Sequence, residues 1–182
     1  MYTQIQEVLD SLAQNKSKYW NISPETGHFL NDFIISHNMK SVLEIGTSTG
    51  YSGIWIAEAL SHTNGHLYTM ESHKERFALG EESFKKSGLT PFITHILGHA
   101  PEKIPENISF DLAFFDATKY EHISYFEKIK TQLIPGGFII TDNFNSHNKD
   151  LSAFLDHVKT QSNFEHKVEN IGTGLLIIHR LS

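Results

Sequence analysis

The feature that most constrains this chain is a short apolar strand that runs straight into a glycine-punctuated turn and then into a helix. Residues 42 to 53 read Val-Leu-Glu-Ile-Gly-Thr-Ser-Thr-Gly-Tyr-Ser-Gly. Gly46 and Gly50 lack a Cβ, so the backbone can turn sharply and let a ligand lie against it, while the amides opening the next helix face that ligand. About one βαβ unit further on, Glu71 closes a second apolar strand, His66 to Met70. A carboxylate in that place can accept hydrogen bonds from two ribose hydroxyls. The two signals together imply an adenosine-bearing ligand.

Strand-like apolar runs recur at 41 to 45, 66 to 70, 92 to 97, 110 to 115, 136 to 141, about 164 to 170 and 174 to 179. Helical patterns separate most of them. Phe29, Leu30, Phe33 and Ile34 follow a Ser23 N-cap with Pro24 at the first helical position. Phe77, Phe84 and Leu89 mark a helix ending near Gly88, and Ile123, Phe126, Ile129 and Leu133 mark one ending before Pro135-Gly136-Gly137. Leu151, Phe154, Leu155 and Val158 stripe a last helix. This alternation predicts an α/β fold, a doubly wound and mostly parallel sheet with helices on both faces. The last two strands are joined by Ile171-Gly172-Thr173 with no room for a helix, so they should pair as a hairpin and make one strand antiparallel.

Length and composition set outer limits. With 182 residues, 39% of them hydrophobic, one domain spanning 1–182 is expected. The absence of cysteine excludes disulfides, thiolate catalysis and cysteine-ligated metal, and fits a reducing compartment. No apolar stretch approaches a membrane span and the first residues lack a secretory pattern, so a cytoplasmic enzyme with no membrane contact is the expectation. A net charge of -6 argues against a broad phosphate-binding surface. The twelve histidines are scattered singly and read mostly as surface residues.

In an open parallel sheet, ligands bind at the carboxyl ends of the strands. Asp116 stands at one such end, after Leu112-Ala113-Phe114-Phe115, and Asp142 and Asn143 stand at another, after Phe138-Ile139-Ile140-Thr141. Three oxygen donors with no sulfur and no clustered imidazole suit a hard divalent cation such as Mg²⁺ with open positions. Consecutive strand residues point to opposite faces, so Asp142 and Asn143 can share an ion only if the chain leaves strand geometry there. Spacing alone leaves a second reading open, in which Asp116 caps the following helix and Asp142-Asn143 begins a loop. Lys119, three residues beyond Asp116, is either a general base beside the cation or an ordinary solvated lysine.

These residues together resemble the cation-dependent class I O-methyltransferases that use S-adenosylmethionine, the group containing catechol and caffeoyl-CoA O-methyltransferases. The likeness runs from about Asn21 to His179. It is carried by Glu-Ile-Gly-Thr-Ser-Thr-Gly-Tyr-Ser at 44 to 52, Asp-Ala-Thr-Lys at 116 to 119 and Asp142-Asn143, in that order. The resemblance implies a Rossmann-like methyltransferase sheet in which Gly46 and Ser52 help hold the methionine part of the cofactor, Glu71 the ribose, and the Gly98-His99-Ala100 loop the adenine. Glu44 and Asp116 join the implied cofactor site, and Asn21 and Ile22 match a backbone segment that closes over the cofactor. Asp116, Asp142 and Asn143 would bind the metal, with Lys119 as base. The chain departs from the family pattern at His122 (often tyrosine), Thr118 (often a second aspartate) and Thr173 (a Gly-Asp-Gly turn is common). The segment before Asn21 and the loop Phe144 to Lys149 are short, and in relatives those regions shape substrate pockets and the contacts of a possible homodimer.

The leading expectation is methyl transfer from S-adenosylmethionine to a hydroxyl of a small, catechol-like acceptor. A second keeps the chemistry but makes the acceptor RNA, a tRNA hydroxyuridine, with Lys16, Lys18 and His28, or Lys74 and Arg76, as a local phosphate patch. A third is a nicotinamide-dependent oxidoreductase or a non-catalytic nucleotide-binding module. Gly46-x-x-x-Gly50 is not Gly-x-Gly-x-x-Gly, which speaks against the former. Trp20, Tyr51, Trp55 and Phe144 read as packing rather than as ligand platforms.

Overall fold

The computed structural model describes residues 2–14 and 19–182. Seven strands, β1 (Ser41–Ile45), β2 (His66–Glu71), β3 (Ile93–Leu97), β4 (Phe110–Phe115), β5 (Leu133–Thr141), β6 (Phe164–Glu169) and β7 (Leu175–Arg180), form one sheet in the order β3-β2-β1-β4-β5-β7-β6. Strands β1 to β5 are mutually parallel, and β7 runs antiparallel to both β5 and β6. The expected C-terminal hairpin is therefore present.

The helices are α1 (Tyr2–Ala13), α2 (Pro24–Ser36), α3 (Tyr51–Thr63), α4 (Lys74–Ser87), α5 (His122–Ile129) and α6 (Asn148–Lys159). Their ends follow local chemistry. Ser23 Oγ accepts a hydrogen bond from the Thr26 amide at 3.1 Å to open α2, and Gly88, in the left-handed region at φ 74°, closes α4. Sequence reading did not foresee α1. It buries Ile5 and Leu9, with Val8 and Leu12 alongside, against α3 and α4.

The sheet separates two apolar layers. Val42, Leu112, Ile140 and Ile177 face the layer holding α2 and α3, while their neighbours Leu43, Ala113, Ile139 and Ile178 face the layer holding α5 and α6. Burial on both faces explains why the strands read as continuous apolar runs rather than alternating ones.

One boundary differs from expectation. The helix thought to reach Leu133 stops at Ile129, and Leu133 instead begins β5. The β4–β5 register jumps from Phe110↔Leu133 to Leu112↔Phe138. Pro135 sits in this bulge, and Gly136, at φ 79°, lets the strand leave and rejoin the ladder. Among the described residues, no helix is long and apolar enough to cross a membrane.

Candidate active site

The chain crosses from the β1-β2-β3 side of the sheet to the β4-β5 side, and a cavity of about 820 Å³ opens there at the carboxyl ends of the strands. One half is built from the glycine turn. Gly46 holds φ 107°, and a Cβ on it would lie 2.9 Å from the carbonyl carbon and oxygen of Asp116, so no side chain fits where the ends of β1 and β4 meet. Ser48 and Gly50 are also left-handed, at φ 48° and 87°. The turn thus presents backbone to the cavity.

Glu71 faces this turn, buried to 6% exposure. One carboxylate oxygen accepts the Ser48 amide at 2.9 Å, the other accepts the His73 amide at 2.8 Å, and Arg76 lies 3.4 Å from the latter. Backbone groups therefore fix the carboxylate before any ligand arrives. The Gly98 amide donates to the Glu71 carbonyl at 2.9 Å, which brings Gly98, His99 and Ala100 onto the same wall. Asn21 also reaches the cavity, its side-chain oxygen accepting from Thr49 at 3.1 Å and its amide donating to the Leu12 carbonyl.

Two side chains expected at the ligand, those of Glu44 and Ser52, do not line the cavity. Glu44 is wholly buried beneath the turn, accepting hydrogen bonds from Ser52 and Thr69. Burial pushes its carboxyl up to about 7, with those two hydroxyls opposing. Ser52 turns toward Glu44 rather than the cavity, and the Ile22 side chain joins the α2–α3 core. The local reason is strand alternation. Ile45 faces the cavity, so Glu44 beside it points into the layer under α3.

The other half is assembled from the ends of β4, β5 and the β6–β7 loop. Phe115 and Thr141 are register partners, so Asp116 and Asp142 leave the sheet side by side. Asn143 adopts φ 64°, so the chain does leave strand geometry at the point where the two side chains need to converge. The Asn143 amide donates to Asp142 at 3.1 Å and to Thr173 Oγ at 3.0 Å, and Thr173 Oγ donates to the second Asp142 oxygen at 3.0 Å. Asp142 is only 1% exposed and lies just beneath the wall that Asp116, Asn143 and Thr173 form.

Lys119 Nζ meets Asp116 at 3.1 Å, with both side chains largely buried. Burial pushes the Asp116 carboxyl up to about 6, with Lys119 opposing and the charge of Asp142 adding to the rise. Among the described residues no cluster of three His, Cys, Asp or Glu side chains could hold a metal ion. The candidate donors are two carboxylates and one amide oxygen, all hard. The crowding of Asp116 and Asp142 is the sort of repulsion that a hard cation relieves.

Several residues were missed or misread in the sequence. His122 is fully buried among Phe115, Tyr125 and Phe154, its Nδ1 2.9 Å from the Lys119 carbonyl, and burial pushes it down to about 4. His95, stacked on Phe77, is likewise pushed down to about 4 by burial. These two are exceptions to the expectation that most of the scattered histidines lie at the surface. Arg76, suggested for a phosphate patch, sits on the cavity wall against Glu71, and Lys16 and Lys18 lie outside the described residues. Tyr51 and Phe144 are buried packing residues as expected, and Trp55 packs against His28, but Trp20 stands 75% exposed at the cavity mouth. Glu121 and Tyr125 line the cavity at helical i, i+4 spacing, the only sequence signal that could have paired them.

Residues 2–169 match the family of O-methyltransferases. A catechol O-methyltransferase of Niastella koreensis is 33% identical over 139 residues, covering 74% of this chain and 62% of the relative. Caffeoyl-CoA O-methyltransferase 2 of Zea mays is 32% identical over 154 residues, covering 79% of this chain and 58% of the relative. The chain thus spans less than two thirds of the length of either. The solved O-methyltransferase of Bacillus cereus, in complex with SAH (S-adenosylhomocysteine), superposes with a TM-score of 0.84 at 22% identity, covering 98% of this chain and 90% of that one, a likeness that shows the fold.

Proposed function

Because this chain belongs to the O-methyltransferase family, we propose that it transfers a methyl group from S-adenosylmethionine to a hydroxyl of a small acceptor with adjacent oxygens, with a divalent cation, Mg²⁺, held by Asp116, Asp142 and Asn143. One observation carries the reading. The prefixed ribose-type carboxylate of Glu71 and the oxygen donors beside Lys119 belong to the same switch-point cavity.

Glu71 offers its free lone pairs to two ribose hydroxyls, and the bare backbone at Gly46 leaves room for the methionine part. Asp116 and Asn143 line the cavity, while Thr173 keeps the Asp142 carboxylate oriented beside them. The bound cation would supply Lewis-acid stabilisation of the acceptor oxygens, and the cofactor an electrophilic methyl group. With the cation in place of its ammonium beside Asp116, the neutral amine of Lys119 would take the proton of the acceptor hydroxyl as that oxygen becomes a methyl ether. Held in line, acceptor and donor react as if in one molecule. The relatives' names, catechol and caffeoyl-CoA, support an acceptor of this class over RNA.

The test is methyl transfer by the purified chain to catechol, caffeoyl-CoA or bulk tRNA, with Mg²⁺ or with a chelator. Turnover on a catechol-type acceptor that stops on chelation, while S-adenosylhomocysteine still binds, is the expected result. Turnover indifferent to chelation, or confined to tRNA, overturns the proposal.

A further inference from the structure

The imidazole of His122 is fully buried, and the chemistry above does not use it. Its ring centroid lies 5.5 Å from those of Phe115 and Phe154 and 5.7 Å from that of Tyr125. Nδ1 meets the Lys119 carbonyl at 2.9 Å, and the same oxygen accepts the His122 backbone amide. A carbonyl can only accept, so the ring carries its proton on Nδ1 and leaves Nε2 bare. That nitrogen is buried with no hydrogen-bond partner among the described residues. Burial, and then the charge of Lys119, push the imidazole down to about 4, with the Lys119 and Phe115 carbonyls opposing, so the ring is neutral in the working range.

An apolar cage around a bare nitrogen would hold a phenyl ring at less cost, because a buried polar atom without a partner has lost its hydration for nothing. What an imidazole supplies here and a phenyl cannot is the Nδ1 donor. We infer that His122 is a positioning residue for Lys119, a ring wedged between the sheet and α6 whose Nδ1 pins the backbone from which the Lys119 amine reaches the acceptor hydroxyl. The inference rests on the reading of Lys119 as the base.

The turn from Asp116 to Lys119 is anchored at both ends. Its first amide, that of Asp116, donates to the Ile45 carbonyl at 3.0 Å, and its last carbonyl is held by the two donors of His122. A lysine side chain has many rotamers, and its amine keeps one place only when the backbone beneath it is fixed and the stem is packed. The Lys119 side chain is 13% exposed, with Nζ 3.1 Å from Asp116. Proton transfer needs that amine within hydrogen-bond reach of the acceptor, and a displacement of about 1 Å can cost about a hundredfold in rate.

The test separates the Nδ1 donor from the bulk of the ring. His122→Asn keeps an amide nitrogen near the Nδ1 position, His122→Gln carries one out toward the Nε2 position, and His122→Phe keeps the ring shape with no donor. In single turnovers of catechol with S-adenosylmethionine and Mg²⁺, His122→Phe and His122→Gln should be slower than the natural protein by roughly tenfold to a hundredfold, and His122→Asn should regain most of the loss. S-adenosylhomocysteine affinity by calorimetry should be unchanged in all three. His122→Phe should nevertheless melt no lower than the natural protein, since it removes a bare buried nitrogen while the Lys119 carbonyl keeps its backbone donor. A merely structural residue makes the rate follow the melting temperature. His122→Asn as slow as His122→Phe, or His122→Phe as fast as the natural protein, therefore overturns the inference. In a Lys119→Ala background His122→Phe should slow the reaction no further, because it acts through that amine, and an equal further loss there overturns the inference too. Lys119→Ala as fast as the natural protein, or a natural protein that binds S-adenosylhomocysteine yet leaves catechol unmethylated, refutes the base and acceptor reading and this inference with it, a different result from any failure confined to His122.

Discussion

The two halves of the cavity are held in place by opposite means. Around β1, β2 and β3, polar side chains are fixed by backbone amides a short distance along the chain or across one strand pair, as Glu71 is by Ser48 and His73. Around β4, β5 and β7, side chains hold one another across long sequence separations, as Asp142 is held by Thr173 from 31 residues away. The first half is prefixed by backbone. The second crowds two carboxylates, and burial first, with the charge of Asp142 adding and Lys119 opposing, raises Asp116 to about 6. A ligand entering the first half meets finished geometry, whereas the second is the half that the proposed cation would complete.

If that contrast is right, substitutions in the two halves separate cleanly. The largest effect should come from the charged half. Asp142→Ala and Lys119→Ala should each lower turnover by about 10² to 10⁴, the range for a positioned electrostatic or proton-transfer group, while S-adenosylhomocysteine affinity by calorimetry stays unchanged. Loss of that affinity in either variant would break the contrast. Next, Glu71→Ala should weaken S-adenosylhomocysteine by roughly a hundredfold, since it removes two charge-assisted hydrogen bonds of about 1.5 kcal/mol each. Single-turnover rates at saturating cofactor should fall far less.

A smaller effect sharpens the picture. Thr173→Val deletes the hydroxyl that bridges Asp142 and Asn143, at about 1 kcal/mol per hydrogen bond. Turnover should fall by about tenfold and the Mg²⁺ needed for half activity should rise, with Thr173→Ser restoring both. The smallest effect is a pH dependence outside both halves. Burial lowers His95 and His122 from 6.5 to about 4, so the folded state binds these protons less tightly than the unfolded chain does. Their contribution to stability is present above pH 6.5 and is lost as pH falls toward 4. Glu44, raised from 4.5 to about 7, works in the opposite direction, losing its contribution as pH rises through 7. Thermal melts should show His95→Phe losing less Tm than the natural protein between pH 6.5 and 4.

The first half was legible because its information is contiguous. Gly46, Gly50 and Glu71 could be placed from strand and turn chemistry alone, and the structure puts Gly46 and Glu71 on the cavity. The Glu44 side chain, in that same motif, does not line the cavity, because whether a strand residue faces the cavity or the layer beneath depends on a parity that a continuous apolar run does not reveal. The β5 boundary was misread for a related reason. Leu133 continues a helical stripe, and only pairing with Phe110 draws it into the sheet. His95 and His122 gave no local sign of burial, since an imidazole is apolar enough to stack on Phe77 or Phe115 wherever packing provides the space.

By itself, the sequence determined the layer order, the glycine turn, the carboxylate closing β2 and the oxygen-bearing side chains at the ends of β4 and β5, because strand and helix periodicity and turn stereochemistry act over a few residues. Tertiary structure alone decided that Asp142 and Asn143 converge, that Thr173 pins them, and that Glu121 reaches His99 across the cavity. Those relations join segments far apart in the chain, and their geometry exists only once the sheet register has brought the strand ends side by side.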